Sequence, residues 1–183
     1  ANALYVISVE GGEAEEIVEM PLALASPKWM PDGQHVIVAT SVIPELAGSL
    51  GKTNLAAMKK EIKRRKDSKM TAKVTEHRQY RYFDHYLTDN LASRLLRVNI
   101  ATKEVKDLTP GYDRWFGADG TANYDLSPDG TQIILVMNST SPPYRDFLNA
   151  DIYLLPTDGS GQLKNLTADN RGSDSGPVFS PDG

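Results

Sequence analysis

The 183-residue sequence predicts an all-β fold, a partial β-propeller of about three four-stranded blades with a helical insertion in one blade. Three observations support this prediction. A Pro-Asp-Gly motif recurs at residues 31–33, 128–130 and 181–183. Apolar, β-branched runs follow the first two copies at 35–40 and 132–137. A long stretch without strand alternation lies between those two copies, which indicates an insertion.

The Pro-Asp-Gly motif is typical of a hairpin turn. Proline presets the backbone angle φ, aspartate can accept hydrogen bonds from nearby backbone, and glycine takes a positive φ without steric cost. The run that follows each of the first two copies is short and apolar, as expected of a buried strand. Each motif therefore predicts a turn between two antiparallel strands.

A second repeated element is a strand that ends in a turn. It occurs at residues 4–12, 95–102 and 152–159, and short polar strands follow the last two copies at 104–109 and 162–167. The order is thus strand, Pro-Asp-Gly turn, strand, loop, strand, turn, strand. Four short antiparallel strands in such a period are typical of one propeller blade.

Residues 45–76 predict a basic helical insertion. Their composition favours helix, and Leu55, Met58 and Ile62 recur at helical spacing on one narrow apolar stripe. Residues 52–81 hold 11 of the 20 Lys and Arg but only three acids, so they carry +8 while the rest carries −12. Two interpretations stay open: a solvent-facing helix that docks its apolar stripe on the propeller rim, or a lid or subunit contact.

Residues 79–86 predict a strand rich in aromatic side chains. Alternation along a strand would place three tyrosines on one face and other side chains on the opposite face. The tyrosines are Tyr80, Tyr82 and Tyr86, and the opposite set is Arg81, Phe83 and His85. Packing between adjacent blades is one interpretation of this strand, and contact with a ligand is the other.

Composition limits the remaining possibilities. The chain is 40% hydrophobic and 24% charged, has a net charge of −4, and contains no cysteine, which excludes disulfides and thiolate chemistry. Its apolar runs are far too short to cross a bilayer. The units at both ends are incomplete and the N-terminus lacks a targeting pattern, so we expect a fragment of a longer protein. The compartment is unknown, with a bacterial exported or periplasmic location favoured over a cytoplasmic one.

No catalytic residue, metal ligand or cofactor site is predicted. The segment Gly172-Ser173-Asp174-Ser175-Gly176 departs from a serine nucleophile motif because aspartate occupies the serine position. The three histidines, His35, His77 and His85, lack metal-site spacing.

The Pro-Asp-Gly turns, the basic insertion and the segment 80–89 leading into 95–102 together resemble one family. The sequence resembles the propeller domain of prolyl oligopeptidase family serine peptidases, in the acylaminoacyl-peptidase and dipeptidyl-aminopeptidase branch. The resemblance implies a hydrolase in which a propeller caps an α/β-hydrolase domain and admits short peptides. That catalytic domain, with its Ser, Asp and His, is expected C-terminal to this segment.

The resemblance also implies where substrate would be contacted. Polar groups of capping propellers reach the central cavity in this family, so Arg81, Tyr82, Asp84 and Tyr86 are the candidate substrate-facing residues. An aspartate on such a strand could pair with a peptide's amino group. The chain alone should hydrolyse nothing.

The predicted function is therefore that of a non-catalytic, substrate-gating propeller segment of a serine exopeptidase or oligopeptidase. Its expected partners are short peptides, through the parent enzyme, and the hydrolase domain of the same polypeptide. Nucleic acid and membrane are not expected partners, because the acidic body opposes approach to a polyanion, and homo-oligomerisation stays open. The alternative is a Tol-type scaffold propeller that binds proteins without enzymatic activity.

Overall fold

The computed structural model describes residues 2–183 except 71, 73, 79, 84, 88, 118–120, 142–143, 145–147 and 161. The described residues contain twelve strands and two helices. In chain order these are β1 (Ala3–Val6), β2 (Glu15–Glu19), β3 (Leu24–Trp29), β4 (His35–Val42), α1 (Pro44–Ala47), α2 (Lys52–Asp67), β5 (Arg81–Tyr82), β6 (His85–Tyr86), β7 (Ala92–Asn99), β8 (Val105–Asp107), β9 (Tyr124–Leu126), β10 (Gln132–Asn138), β11 (Ala150–Pro156) and β12 (Lys164–Asn165).

The strands form two four-stranded antiparallel sheets and two smaller ones. The first four-stranded sheet has the order β3-β4-β7-β8, and the second has the order β9-β10-β11-β12. β1 pairs with β2, and β5 pairs with β6. The all-β propeller prediction is confirmed. Of the roughly three predicted blades, two are complete four-stranded sheets and the third is represented by the two strands β1 and β2.

The Pro-Asp-Gly turns adopt one conformation. The N–H of Gly33 donates to the carbonyl of Met30 at 3.1 Å, and the N–H of Gly130 donates to the carbonyl of Ser127 at 2.8 Å. Both glycines have positive φ, +64° and +71°, which a residue with a side chain rarely adopts. The turns join β3 to β4 and β9 to β10, as the sequence predicts.

Two hydrophobic cores lie on opposite faces of the first four-stranded sheet. Leu95 contributes to the core shared with the second four-stranded sheet, and its neighbour Leu96 contributes to the core shared with β1–β2 and the helices. Both side chains are fully buried, and burial of each is worth about 1.5–3 kcal/mol. Because β4 is covered on both faces, its residues 36–39 form a continuous apolar run rather than an alternating pattern.

Polar contacts join the two four-stranded sheets. The hydroxyl of Tyr124 donates to the carbonyl of Ser26 at 2.5 Å and to that of Ile37 at 3.1 Å. Lys28 Nζ donates to the carbonyl of Tyr124 at 2.7 Å and pairs with Asp125 at 3.1 Å. Burial raises the pKa of Tyr124, which therefore acts as a neutral hydrogen-bond donor. The sheets are thus held together by hydrogen bonds as well as by apolar packing.

Within the described residues, neither helix combines the length and the apolar character needed to cross a membrane.

Candidate functional site

Residues 43–91 form a long connection, here called the excursion, between two paired strands. β4 and β7 are neighbours in register, with Val42 opposite Ala92, so the excursion leaves and re-enters the sheet at adjacent positions. Helices α1 and α2 and the hairpin β5–β6 lie within it. The excursion is therefore a contiguous addition at one end of a single blade.

The first half of the excursion is anchored on the hydrophobic core that contains Leu96 and is shared with β1–β2. Met58 of α2 is 1% exposed and packs with Val42, Ala92 and Leu96, while Leu55 and Ile62 pack at the edge of this core. These three residues are the apolar stripe that the sequence predicts. Their packing places α2 against the blade with its remaining faces toward solvent.

Polar contacts fix α2 along its length. Lys59 pairs with Glu19 of β2 at 2.8 Å, and Arg65 donates to the carbonyl of Asp89 at 2.6 Å. Glu61 accepts hydrogen bonds from Arg64 and Arg65, which lower its pKa to about 2. Both arginines are thus committed to contacts within the excursion.

The second half of the excursion reaches the other complete blade. Tyr144, in the connection between β10 and β11, donates its backbone N–H to His77 Nδ1 at 2.9 Å and accepts the backbone N–H of Arg78 at 2.9 Å. Tyr144 also packs on Trp115, whose Nε1 donates to the carbonyl of Leu87 at 3.2 Å. Burial raises the pKa of Tyr144 to about 12. The excursion therefore contacts the β10–β11 connection of the second complete blade and the segment that joins the two blades.

The aromatic segment forms a hairpin, which corrects the prediction of one continuous strand over 79–86. Strand β5 pairs with β6 so that Arg81 lies opposite Tyr86, and its guanidinium lies 5.8 Å from the centre of the Tyr86 ring. These two side chains were expected on opposite faces. Phe83, in the turn, has φ of +50°. No glycine or proline marks this turn, and a bulky residue rarely adopts positive φ, so the one local signal in the sequence is the aspartate at position 84, a residue type that is also common outside turns.

Three of the four candidate residues lie on the exposed surface of this hairpin. Tyr82 is 39% exposed and Tyr86 is 41% exposed, and Arg81 is exposed as well. The Tyr82 ring lies edge-on to that of Phe83 at 4.8 Å. The fourth candidate, Asp84, falls outside the described residues. A guanidinium beside aromatic faces is suited to binding a carboxylate, a peptide carbonyl or an apolar side chain.

Two adjoining cavities lie between the excursion and the blades. The larger, about 330 Å³, is lined by Ile62, Arg65 and Asp89, and the smaller, about 200 Å³, is lined by residues 39–41 of β4. Leu22 and Leu91 line both cavities. Neither leucine is among the residues predicted from the sequence. Their only signal is that each is an apolar residue just before a strand, a position also common for ordinary core residues.

No cluster of three or more potential metal-ligating side chains occurs in the part of the chain that the structure describes.

Comparisons with known proteins agree with the fold. No protein-family model matches the chain. The uncharacterised peptidase YuxL of Bacillus subtilis (strain 168) is 30% identical over 140 residues, which cover 76% of this chain and 19% of that protein. Dipeptidyl-peptidase 5 of Aspergillus fumigatus is 33% identical over 72 residues, which cover 35% of this chain and 10% of that protein. The chain thus spans about a fifth or less of these curated relatives.

Solved structures of propellers are similar over nearly the whole chain. The acylaminoacyl peptidase of Pyrococcus horikoshii aligns over 90% of this chain and 21% of its own, with a TM-score of 0.54 and 13% identity. TolB of Acinetobacter baumannii aligns over 99% of this chain and 30% of its own, with a TM-score of 0.51 and 15% identity. At these identities the structures establish the fold alone.

The sheets and these structures place the chain in the class of β-propellers. Within that class, the peptidase relatives support the resemblance carried by the sequence motifs: the chain is a propeller region of the prolyl oligopeptidase-family type.

Proposed function

We propose that this chain is the substrate-admitting propeller region of a serine peptidase that hydrolyses short peptides, and that the excursion controls entry. The observation that carries the proposal is the placement of the excursion. It is fixed to two blades, it presents the β5–β6 hairpin to solvent, and cavities lie beneath it. A segment in this position can restrict which peptides pass while the sheets stay unchanged.

In this proposal the hairpin makes the first contacts with a peptide. Arg81 would bind a terminal carboxylate or a carbonyl oxygen, and Tyr82 and Tyr86 would pack against the peptide backbone or an apolar side chain. Asp84 stays a candidate for pairing with an amino group. Hydrolysis is assigned to a hydrolase domain C-terminal to this chain in the same polypeptide, with a serine nucleophile activated by histidine.

The test uses the full-length protein and begins with a fluorophosphonate probe. We expect a reactive serine outside residues 1–183. Deletion of residues 48–74 should then raise kcat/KM for a 30-residue peptide relative to a tetrapeptide by about tenfold, because the restriction is lost. An unchanged ratio in a folded, labelled variant would contradict the gating role.

The deletion removes Met58 and can unfold the chain, so a second variant is needed. Tyr82→Ala combined with Phe83→Ala changes only exposed hairpin side chains. It should lower kcat/KM for the tetrapeptide with little change in thermal stability.

The alternative function, a Tol-type scaffold propeller, predicts instead that the folded full-length protein does not react with the fluorophosphonate probe.

A further inference from the structure

Helix α2 carries a row of five exposed lysines, of which Lys59 alone forms an ion pair within the described part of the chain. Helical spacing places Lys52, Lys59, Lys63 and Lys66 on one exposed side, with Lys60 beside them. Lys59 pairs with Glu19. The other four have no ion pair or hydrogen bond with any residue that the structure describes. The five residues are called the lysine row below.

The lysine row contrasts with the arginines of the same helix. Arg64 and Arg65 both donate hydrogen bonds to Glu61, and Arg65 also donates to the carbonyl of Asp89. Both arginines thus bond residues of the excursion, whereas the lysines other than Lys59 face solvent.

Helix stability explains only part of the row, because the helix dipole favours a cation at Lys66 in the last turn and at none of the other four positions. Lys59 and Lys63 are four residues apart, and like charges at this spacing repel. Lys52 lies in the first turn, where the helix dipole disfavours a cation, and that turn contains no acidic residue. An anionic ligand would relieve both effects.

From this arrangement we propose that the lysine row binds acidic segments of peptides. The row extends about 21 Å from Lys52 to Lys66, the length of about six or seven residues of extended peptide. A peptide of this length meets the lysines and little of the remaining surface. The specificity for peptides rests on the function proposed above.

The charge of the whole chain favours a short peptide over a larger polyanion. Outside residues 52–81 the chain carries 21 acidic and nine basic residues. An anionic bilayer or a long nucleic acid would extend beyond α2 and face this acidic surface. Attraction to a short segment stays local, because charges are screened beyond about 8–10 Å at physiological salt.

The test measures binding without hydrolysis. The full-length protein, treated beforehand with a fluorophosphonate, is titrated into a labelled peptide of alternating Glu and Ser, seven residues long, and into a matched peptide with Gln in place of Glu. Fluorescence anisotropy at 20 mM and 300 mM salt should show preferential, salt-sensitive binding of the Glu peptide.

Matched variants locate the binding surface. Lys60→Gln combined with Lys63→Gln should weaken binding of the Glu peptide about tenfold. Lys106→Gln combined with Lys164→Gln removes the same charge from exposed positions on β8 and β12 and should change it less than twofold. Equal weakening by both pairs, or equal binding of the Glu and Gln peptides, would overturn the proposal.

Two further probes separate this proposal from its rivals and from the proposed function. Tighter binding of a 20-nucleotide oligothymidylate or of phosphatidylserine vesicles through Lys60 and Lys63 would overturn it in favour of a nucleic acid or a lipid surface. Peptide binding by a protein that takes up no fluorophosphonate would support the lysine row while contradicting the peptidase function.

Discussion

Glu61 shows how one side chain organises the charged face of α2. Its carboxylate accepts hydrogen bonds from Arg64 and Arg65. These bonds lower its pKa from 4.5 to about 2, and the bond from Arg64 is the larger cause. Because the pKa of Glu61 is lower in the folded state than in the unfolded state, its carboxylate stabilises the fold fully above about pH 4.5. This contribution to the free energy of unfolding is lost as pH falls toward 2.

A carboxyl titration followed by NMR tests this assignment. We expect a midpoint near 2 for Glu61 in the unmodified protein. The double variant Arg64→Gln and Arg65→Gln should return the midpoint toward the ordinary value of 4.5. A midpoint near 4 in the unmodified protein would show that the arginines do not bond this carboxylate in solution.

Tyr124 joins the two complete blades through its hydroxyl. Tyr124→Phe keeps the ring but leaves the carbonyls of Ser26 and Ile37 without this donor, so unfolding free energy should fall by about 1–2 kcal/mol in urea titrations. Tyr5→Phe is the matched control, because its hydroxyl bonds Glu16 on an exposed surface and should cost less than about 0.5 kcal/mol. Equal losses would contradict a special role for the buried hydroxyl.

At the scale of elements, the contact between the excursion and the second complete blade depends on His77. Because Nδ1 accepts the backbone N–H of Tyr144, His77→Ala should leave that N–H without its partner. We expect faster amide exchange across 77–91 and little change in the four-stranded sheets. Arg78→Ala is the control, since the hydrogen bond from Arg78 to Tyr144 uses the backbone N–H, which the substitution keeps. Similar exchange in both variants would show that His77 does not hold the excursion.

The elements differ in how well the sequence predicts them, and the difference has a physical cause. The Pro-Asp-Gly turns and the apolar strands β4 and β10 were predicted because turn chemistry and strand burial are local signals. The stripe on α2 was predicted because helical spacing is local too. The β5–β6 hairpin was missed because Phe83, a bulky aromatic residue, takes positive φ where no glycine or proline marks a turn.

The candidate site was predictable only in part for a related reason. Sequence singled out exposed polar and aromatic residues of the hairpin, and three of these are described on its surface. It could not identify Leu22 and Leu91 as lining two cavities, because that role arises when distant segments meet. Arg81 and Tyr86 likewise lie opposite each other because β5 pairs with β6. The alternation of side chains along a single strand does not reveal such pairing.

At the scale of the whole molecule, the first complete blade separates two cores that serve different purposes. Leu95 lies in the core between the blades, and Leu96 lies in the core beneath the excursion. Leu95→Ala and Leu96→Ala should each lower the unfolding free energy by about 2–5 kcal/mol. Only Leu96→Ala should also speed proteolysis at residues 68–76. Equal proteolysis in both variants would show that the two cores are not independent.

The pairing of Val42 with Ala92 has a consequence for how such proteins diversify. Residues paired across antiparallel strands lie only about 5 Å apart, and the entropy of closing a connection grows slowly with its length. A gene segment of different length can therefore replace the one encoding residues 43–91 while the blade keeps its register, provided that the new segment covers the core residues that Met58 now covers. This position allows a new surface to be acquired in one genetic exchange, with the surrounding scaffold inherited intact.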